Sequence, residues 1–194
     1  MRQATIQRKT KETDIKLTLH LDGTGKHLIS TGVGFLDHML TAWAVHGLFD
    51  LDVQAVGDLH IDAHHTIEDV GLVLGRAFGQ ALGDKRGITR TGWALLPMDE
   101  TLAQVAIDFS GRPYCVFQAQ FSAPALGIFP TSLVQHFFES FATTAQATLH
   151  AHILHGRDDH HKAEALFKGL AKACAMAAQL DPRRLDVPSS KGVL

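Results

Sequence analysis

Two adjacent histidines followed three residues later by a glutamate occur twice in this chain. The first copy is Asp62-Ala63-His64-His65-Thr66-Ile67-Glu68 and the second is Asp158-Asp159-His160-His161-Lys162-Ala163-Glu164. From His64 to His160, His65 to His161 and Glu68 to Glu164 the step is 96 positions each time. On a helix, residues three apart share a face. His161 and Glu164 can therefore point at one ion, with His160 reaching it or a neighbouring ion from the turn that opens the helix. Asp158 or Asp159 suits the N-cap. Solvated helix starts rich in polar residues are the plain alternative, but they have no reason to recur at a constant offset. The repetition reads as two metal half-sites, and it constrains the chain to an internal duplication.

The surrounding pattern repeats too. Ile15, Leu17, Leu19 and Leu21 alternate with polar residues and predict a half-buried strand. Asp22-Gly23-Thr24-Gly25 is a turn, and residues 26–31 are expected to complete a hairpin. A helix is predicted over 35–49, a strand over 51–56 and a long helix over 64–82. In that last helix Gly71, Gly75 and Gly79 recur at four-residue spacing. Glycine there costs about 1 kcal/mol against alanine, so the run suggests close contact with another helix. The second half predicts strands over 101–109 and 112–121 joined by Ser110-Gly111, then a loop over 124–130. A helix over 133–147, a strand over 149–154 and a helix over 160–179 follow, and the tail from 182 is irregular. Ala171 and Ala175 stand where Gly75 and Gly79 stand in the first half. The expectation is an α+β fold of two similar β-β-α-β-α halves, 1–90 and 91–194, with sheets backed by packed helices.

The duplication points to further ligands. His38 and His136 each precede a His-His pair by one helix and one strand. Each half then offers three histidines and a glutamate: His38, His64, His65 and Glu68, then His136, His160, His161 and Glu164. That is enough for two ions. Imidazole with carboxylate suits Mn, Fe, Zn or Ni, and the absence of thiolate argues against a structural zinc site. Basic residues are sparse, so those placed in turns stand out. Arg90, Arg112 and the Ser190-Lys191-Gly192 stretch fall in turns and in the tail, where they could form an anion site, most naturally for phosphate.

Composition narrows the setting. A net charge of −2 gives no footing for a nucleic-acid or membrane surface. No apolar run approaches membrane-spanning length, and residues 1–19 lack a signal-peptide core. Cys115 and Cys174 share no metal or redox spacing, so reduced buried thiols in a cytoplasmic protein are expected.

Three stretches carry a resemblance to a known family. They are Gly32-Val33-Gly34-Phe35-Leu36-Asp37-His38-Met39-Leu40, the segment from Gly57 to Asp69, and Asp159-His160-His161-Lys162-Ala163-Glu164-Ala165-Leu166-Phe167-Lys168. They resemble the signatures of the imidazoleglycerol-phosphate dehydratases, in the monofunctional form with no phosphatase domain appended. The resemblance runs from Glu12 to the tail. It implies two manganese ions per active site, held at His38, His64, His65, Glu68, His136, His160, His161 and Glu164. It places phosphate on Arg90, Arg112, Ser190 and Lys191, and puts His46 at the end of a substrate-contacting segment. It also implies particles of 24 subunits with active sites between subunits. Glu12, which sequence physics alone reads as a solvated charge beside Lys11, matches a glutamate proposed as an acid–base group. The implied reaction is dehydration of D-erythro-imidazole-glycerol phosphate to imidazole acetol phosphate, in histidine biosynthesis. Two ions on the ring nitrogens would hold an imidazolate that expels the hydroxyl, and the resulting enol becomes a ketone. Two other classes fit the pattern less well. A dinuclear metallohydrolase would draw more on aspartate, and a metal-storage helical bundle would use Glu-x-x-His rather than His-x-x-Glu on four helices.

Overall fold

The computed structural model describes residues 2–194. The first half contains strands β1 (Gln3–Lys9), β2 (Thr13–His20) and β3 (His27–Ser30), helix α1 (Gly34–Gly47), strand β4 (Asp50–Gly57) and helix α2 (His64–Leu82). The second contains β5 (Thr91–Met98), β6 (Thr101–Asp108) and β7 (Tyr114–Gln118), then a two-stranded hairpin of β8 (Ala125–Leu126) and β9 (Phe129–Pro130). It ends with α3 (Ser132–Ala145), β10 (Thr148–His155) and α4 (Asp159–Ala178).

Two four-stranded sheets result, in the orders β1-β2-β4-β3 and β5-β6-β10-β7. Period-2 alternation turns one face of each inward. In the first sheet Ile6, Leu17, Val53 and Ile29 lie abreast, and in the second Ala94, Val105, Ala151 and Phe117 do. α2 covers the inner face of the first sheet and α4 that of the second. The helices then meet in the middle, α1 against α4 and α2 against α3. The core therefore has helices sandwiched between two sheets, with Trp43, Phe78, Phe137, Phe141 and Phe167 fully buried.

The α+β duplicated architecture is as the sequence implied, with one more strand opening each half. β1 and β5 lie at sheet edges. β1 has only Ala4 and Ile6 as buried apolar positions, while β5 exposes Trp93 and Leu95 and carries Pro97. Proline is tolerated on an edge strand because its missing N–H faces no partner.

The two expected hairpins are corrected. β3 does not pair with β2, nor β7 with β6. Each instead runs parallel to the strand that follows the next helix, β3 to β4 and β7 to β10. A parallel pair needs a crossover, and α1 and α3 supply it. The stretch expected as a plain loop over 124–130 holds the β8–β9 hairpin. Both thiols are free. Burial pushes Cys115 up to about 12 and raises Cys174 as well.

The glycine row on α2 makes the expected contact. A Cβ at Gly75 would stand 2.3 Å from both the Phe141 carbonyl oxygen and the Thr144 hydroxyl of α3. At Gly79 the nearest atom would be 3.6 Å away, at ordinary contact distance. Gly75→Ala should therefore destabilise the protein by about 1–3 kcal/mol through overpacking against backbone. Gly79→Ala should be neutral or stabilising by up to about 1 kcal/mol through helix propensity. Denaturant unfolding of the two variants at one protein concentration checks the contrast, and equal effects would refute it.

Candidate active site

The helix interface between the halves gathers the ligand candidates into two triads. His38 on α1 meets His160 and Glu164 on α4, and His136 on α3 meets His64 and Glu68 on α2. Within each triad the donor atoms all lie within 4.8 Å of one another. Donors held about 2.0–2.2 Å from one ion would lie within roughly 4.4 Å of each other, so small side-chain adjustments close each set around a metal.

In the first triad the Nε2 atoms of His38 and His160 stand 3.1 and 3.0 Å from Glu164 Oε2. Burial opposes ionisation of Glu164. Lys168, whose Nζ lies 2.5 Å from Oε1, outweighs it together with the two histidines and holds the carboxyl at about 2. In the second triad His64 Nε2 is 3.8 Å and His136 Nε2 3.5 Å from the Glu68 carboxylate. His136 Nε2 is buried without a hydrogen-bond partner. A buried nitrogen left without a partner is costly, and a cation among His64, Glu68 and His136 would satisfy it. The donor set fits a divalent metal.

Three-residue spacing pairs the second histidine of each couple with the glutamate, and here the structure differs. The first histidine shares the site with the glutamate at i,i+4, as His160 does with Glu164 and His64 with Glu68. His65 and His161 turn away. Asp58 accepts from His65 Nδ1 at 2.9 Å and Glu100 from His161 Nδ1 at 2.8 Å. These hydrogen bonds raise both imidazole pKa values. Glu12 is half-exposed, with Oε1 3.9 Å from His65 Nε2.

Arg90, Arg112, Ser190 and Lys191 line one pocket of about 500 Å³ with Ser110, Gly111 and Ser189. Asp108 grips the Arg90 guanidinium through two hydrogen bonds of 2.6 and 3.0 Å, and the Pro188 carbonyl accepts a third at 2.8 Å. Arg112 and Lys191 are exposed at the mouth. His46 lies outside both triads and this pocket, in the last turn of α1. Burial and the charges of Lys168 and Lys172 lower its pKa.

Sequence reasoning missed Asp58, Glu100 and Lys168. Lys168 was legible as the i,i+4 partner of Glu164. Asp58 and Glu100 lie in turns, where spacing carries no face.

Asp158 caps α4, its side chain accepting from the backbone N–H of His160 and His161. Asp159 instead points inward. It accepts from Lys162 at 2.8 Å and from the backbone N–H groups of Ser122 and Ala123 at 2.7 and 2.6 Å. This buried pair ties the β8–β9 hairpin to the start of α4. The hairpin's tip, Leu126-Gly127-Ile128, overhangs Phe35, His38 and His160 and walls a cavity of about 440 Å³.

The profile of the imidazoleglycerol-phosphate dehydratase family matches residues 31–174. The chain belongs to the imidazoleglycerol-phosphate dehydratase family. It is 57% identical over its whole length to the Chloroflexus aggregans dehydratase, covering 95% of that protein. It is 56% identical to the Xanthobacter autotrophicus dehydratase, covering all of this chain and 99% of the relative. The Staphylococcus aureus dehydratase crystal structure superposes with a TM-score of 0.84 at 37% identity, over 92% of this chain and 99% of the other. The Pyrococcus furiosus enzyme in complex with (S)-C348 gives 0.84 at 38% identity, over 97% and 100%. Dehydratases of this family are hydro-lyases, and this chain is an enzyme of that class. Among the described residues no helix is long and apolar enough to cross a membrane.

Replacing Asp159 by alanine would leave Lys162 buried without its anion, and breaking a buried pair costs about 3 kcal/mol. Burial resists ionisation of Asp159, but Lys162 and the two backbone donors win and hold its pKa below 3.8. Its contribution is thus full above 3.8 and lost as the pH falls through the lowered value. Denaturant unfolding at neutral and acid pH should show the Asp159→Ala deficit at neutral pH and its shrinkage in acid. A deficit independent of pH would contradict this account.

Proposed function

We propose that this chain dehydrates D-erythro-imidazole-glycerol phosphate to imidazole acetol phosphate in histidine biosynthesis, with two Mn²⁺ ions per active site, as a cytoplasmic enzyme. The observation that carries this reading is the pair of equivalent His-His-Glu triads, one of them with an unpartnered buried nitrogen, in a chain of this family. The two triads share no residue, so no carboxylate of one chain bridges them as a dinuclear hydrolase would require. Strands separate the helices, unlike a storage bundle.

His38, His160 and Glu164 would hold one ion, and His64, Glu68 and His136 the other. Divalent ions bound by these donors would favour the anionic form of the substrate's imidazole, which expels the hydroxyl on the adjoining carbon. The carbon beyond must then lose a proton that no carbonyl acidifies. Glu12 is the group we assign to it, since its carboxylate is half-exposed and makes no hydrogen bond among the described residues. The hydroxyl leaves as water, and the enol left behind becomes the ketone. Arg90, Arg112, Ser190 and Lys191 would bind the phosphate and fix the carbon chain in place. We leave His46 as a substrate contact made from the end of α1.

We place the active site between subunits of a homo-oligomer, 24 subunits being what the sequence resemblance implies. Each triad offers only three donors, and His65 and His161 turn out of their own chain's triads. We assign them to completing coordination on a neighbouring copy. The halves 1–90 and 91–194 we take to be descendants of one duplicated unit.

Exhaustive chelation should abolish ketone formation from imidazole glycerol phosphate, and Mn²⁺ should restore it. Full activity of metal-free protein would remove the site assignment. Arg112→Ala and Glu12→Gln should separate binding from chemistry. Arg112→Ala should mainly raise KM, because phosphate contacts are made in ground and transition states alike. Glu12→Gln should lower kcat by roughly 10²–10⁴ at unchanged metal content. Steady-state kinetics beside metal analysis decide, and loss of metal from Glu12→Gln would make Glu12 a ligand rather than an acid–base group.

A further inference from the structure

The two halves treat one equivalent glutamate in opposite ways. Glu12 precedes Thr13 at the start of β2, and Glu100 precedes Thr101 at the start of β6. Both threonines are buried. Glu100 is turned inward. Its Oε1 accepts from the backbone N–H groups of Arg157 and Asp158 at 2.9 and 2.8 Å, and its Oε2 lies 2.8 Å from His161 Nδ1. The Glu12 side chain is 54% exposed against 26% for Glu100. Its backbone is held instead, the N–H donating to Thr10 Oγ1 and the carbonyl accepting from Asp58 N–H.

The difference is explained by what occupies the turn after the following strand. In the first half Asp58 follows β4 and engages His65 Nδ1 through Oδ2, and its Oδ1 is buried with no partner of its own. The corresponding place after β10 is Gly156. A Cβ there would crowd Thr101 Oγ1 at 2.4 Å, so this position supplies no carboxylate, and Asp158 two residues on spends its own on the backbone N–H groups of His160 and His161. His161 must take its partner from elsewhere, and Glu100 is in reach. With Nδ1–H donated to a carboxylate, each ring presents Nε2 outward as a lone-pair donor, the usual arrangement of a metal-ligating histidine.

We propose that Asp58 and Glu100 are positioning residues that orient His65 and His161 as metal ligands, and that Asp58 leaves Glu12 free for proton transfer. The inference rests on the metal-site reading above. Its test uses Mn²⁺ alone as the probe, titrated into metal-stripped full-length protein and read as equivalents bound and affinity, without any assay of turnover. Wild type should bind two equivalents per chain. Asp58→Asn and Glu100→Gln should each weaken one of the two by roughly 10–100-fold, and Glu12→Gln should leave both as in wild type. Because Glu100 also accepts from two backbone groups, Glu100→Gln carries a folding risk that Asp58→Asn does not. The decisive arm is therefore a double-mutant cycle on Asp58. In a His65→Ala background Asp58→Asn should weaken Mn²⁺ no further, because Asp58 acts through that ring. Wild-type affinity in Asp58→Asn, or a further loss in the His65→Ala background, overturns the positioning role. A wild-type chain that takes up no Mn²⁺ overturns the metal-site reading and this inference together.

Discussion

Everything at the candidate site depends on the interface where the helices of one half pack on those of the other. Neither half holds a triad alone. His38 on α1 needs α4, and His136 on α3 needs α2. The spacing of α2 and α3 is set by main-chain contact rather than by bulky side chains, because Gly75 lets the Phe141 carbonyl approach where a Cβ would collide and Gly71 leaves the Phe137 carbonyl room that a Cβ would crowd. Close-packed interiors resist small displacements. A triad whose members belong to different rigid layers therefore inherits its geometry from the core.

The same interface explains why the histidines and glutamates of the two triads could be picked out of the sequence and their grouping could not. Three residues recurring at one offset are visible in a string of letters, and so is a histidine one helix and one strand upstream of each. Grouping depends on rotation about the helix axis. At i,i+4 His160 falls on the face of Glu164, while His161 lies about 100° round and is drawn off by Glu100. Glu100 comes from a turn whose place in space follows from sheet order. Sheet order was the part read wrongly. Alternation says that residues 27–30 form a strand, but it does not say whether the partner is β2 or β4. The choice follows from α1 carrying the chain across to a parallel neighbour. Arg90, Arg112, Ser190 and Lys191 were found as basic or polar residues in turns, and only the fold brings the tail against the end of β6.

The duplication is kept where the two His/Glu triads sit and broken at the hairpin and the tail. Between β7 and α3 the second half inserts the β8–β9 hairpin, while β3 leads into α1 with only residues 31–33 between them. The hairpin leans over the His38 triad alone, fastened by the buried Asp159–Lys162 pair. The pocket lined by Arg112, Ser190 and Lys191 likewise draws on the second half, on Arg90 at the join and on the tail. On the proposed reading, two equivalent ion sites would suit an imidazole ring, which offers two similar nitrogens. The rest of such a substrate has no symmetry, since one end carries phosphate and one carbon must lose its hydroxyl. A symmetric pair of halves could bind the ring but could not tell its substituent's direction. On the proposed reading, the hairpin, the tail pocket and the unequal fates of Glu12 and Glu100 supply that direction, and none of them disturbs the helix interface that holds the triads.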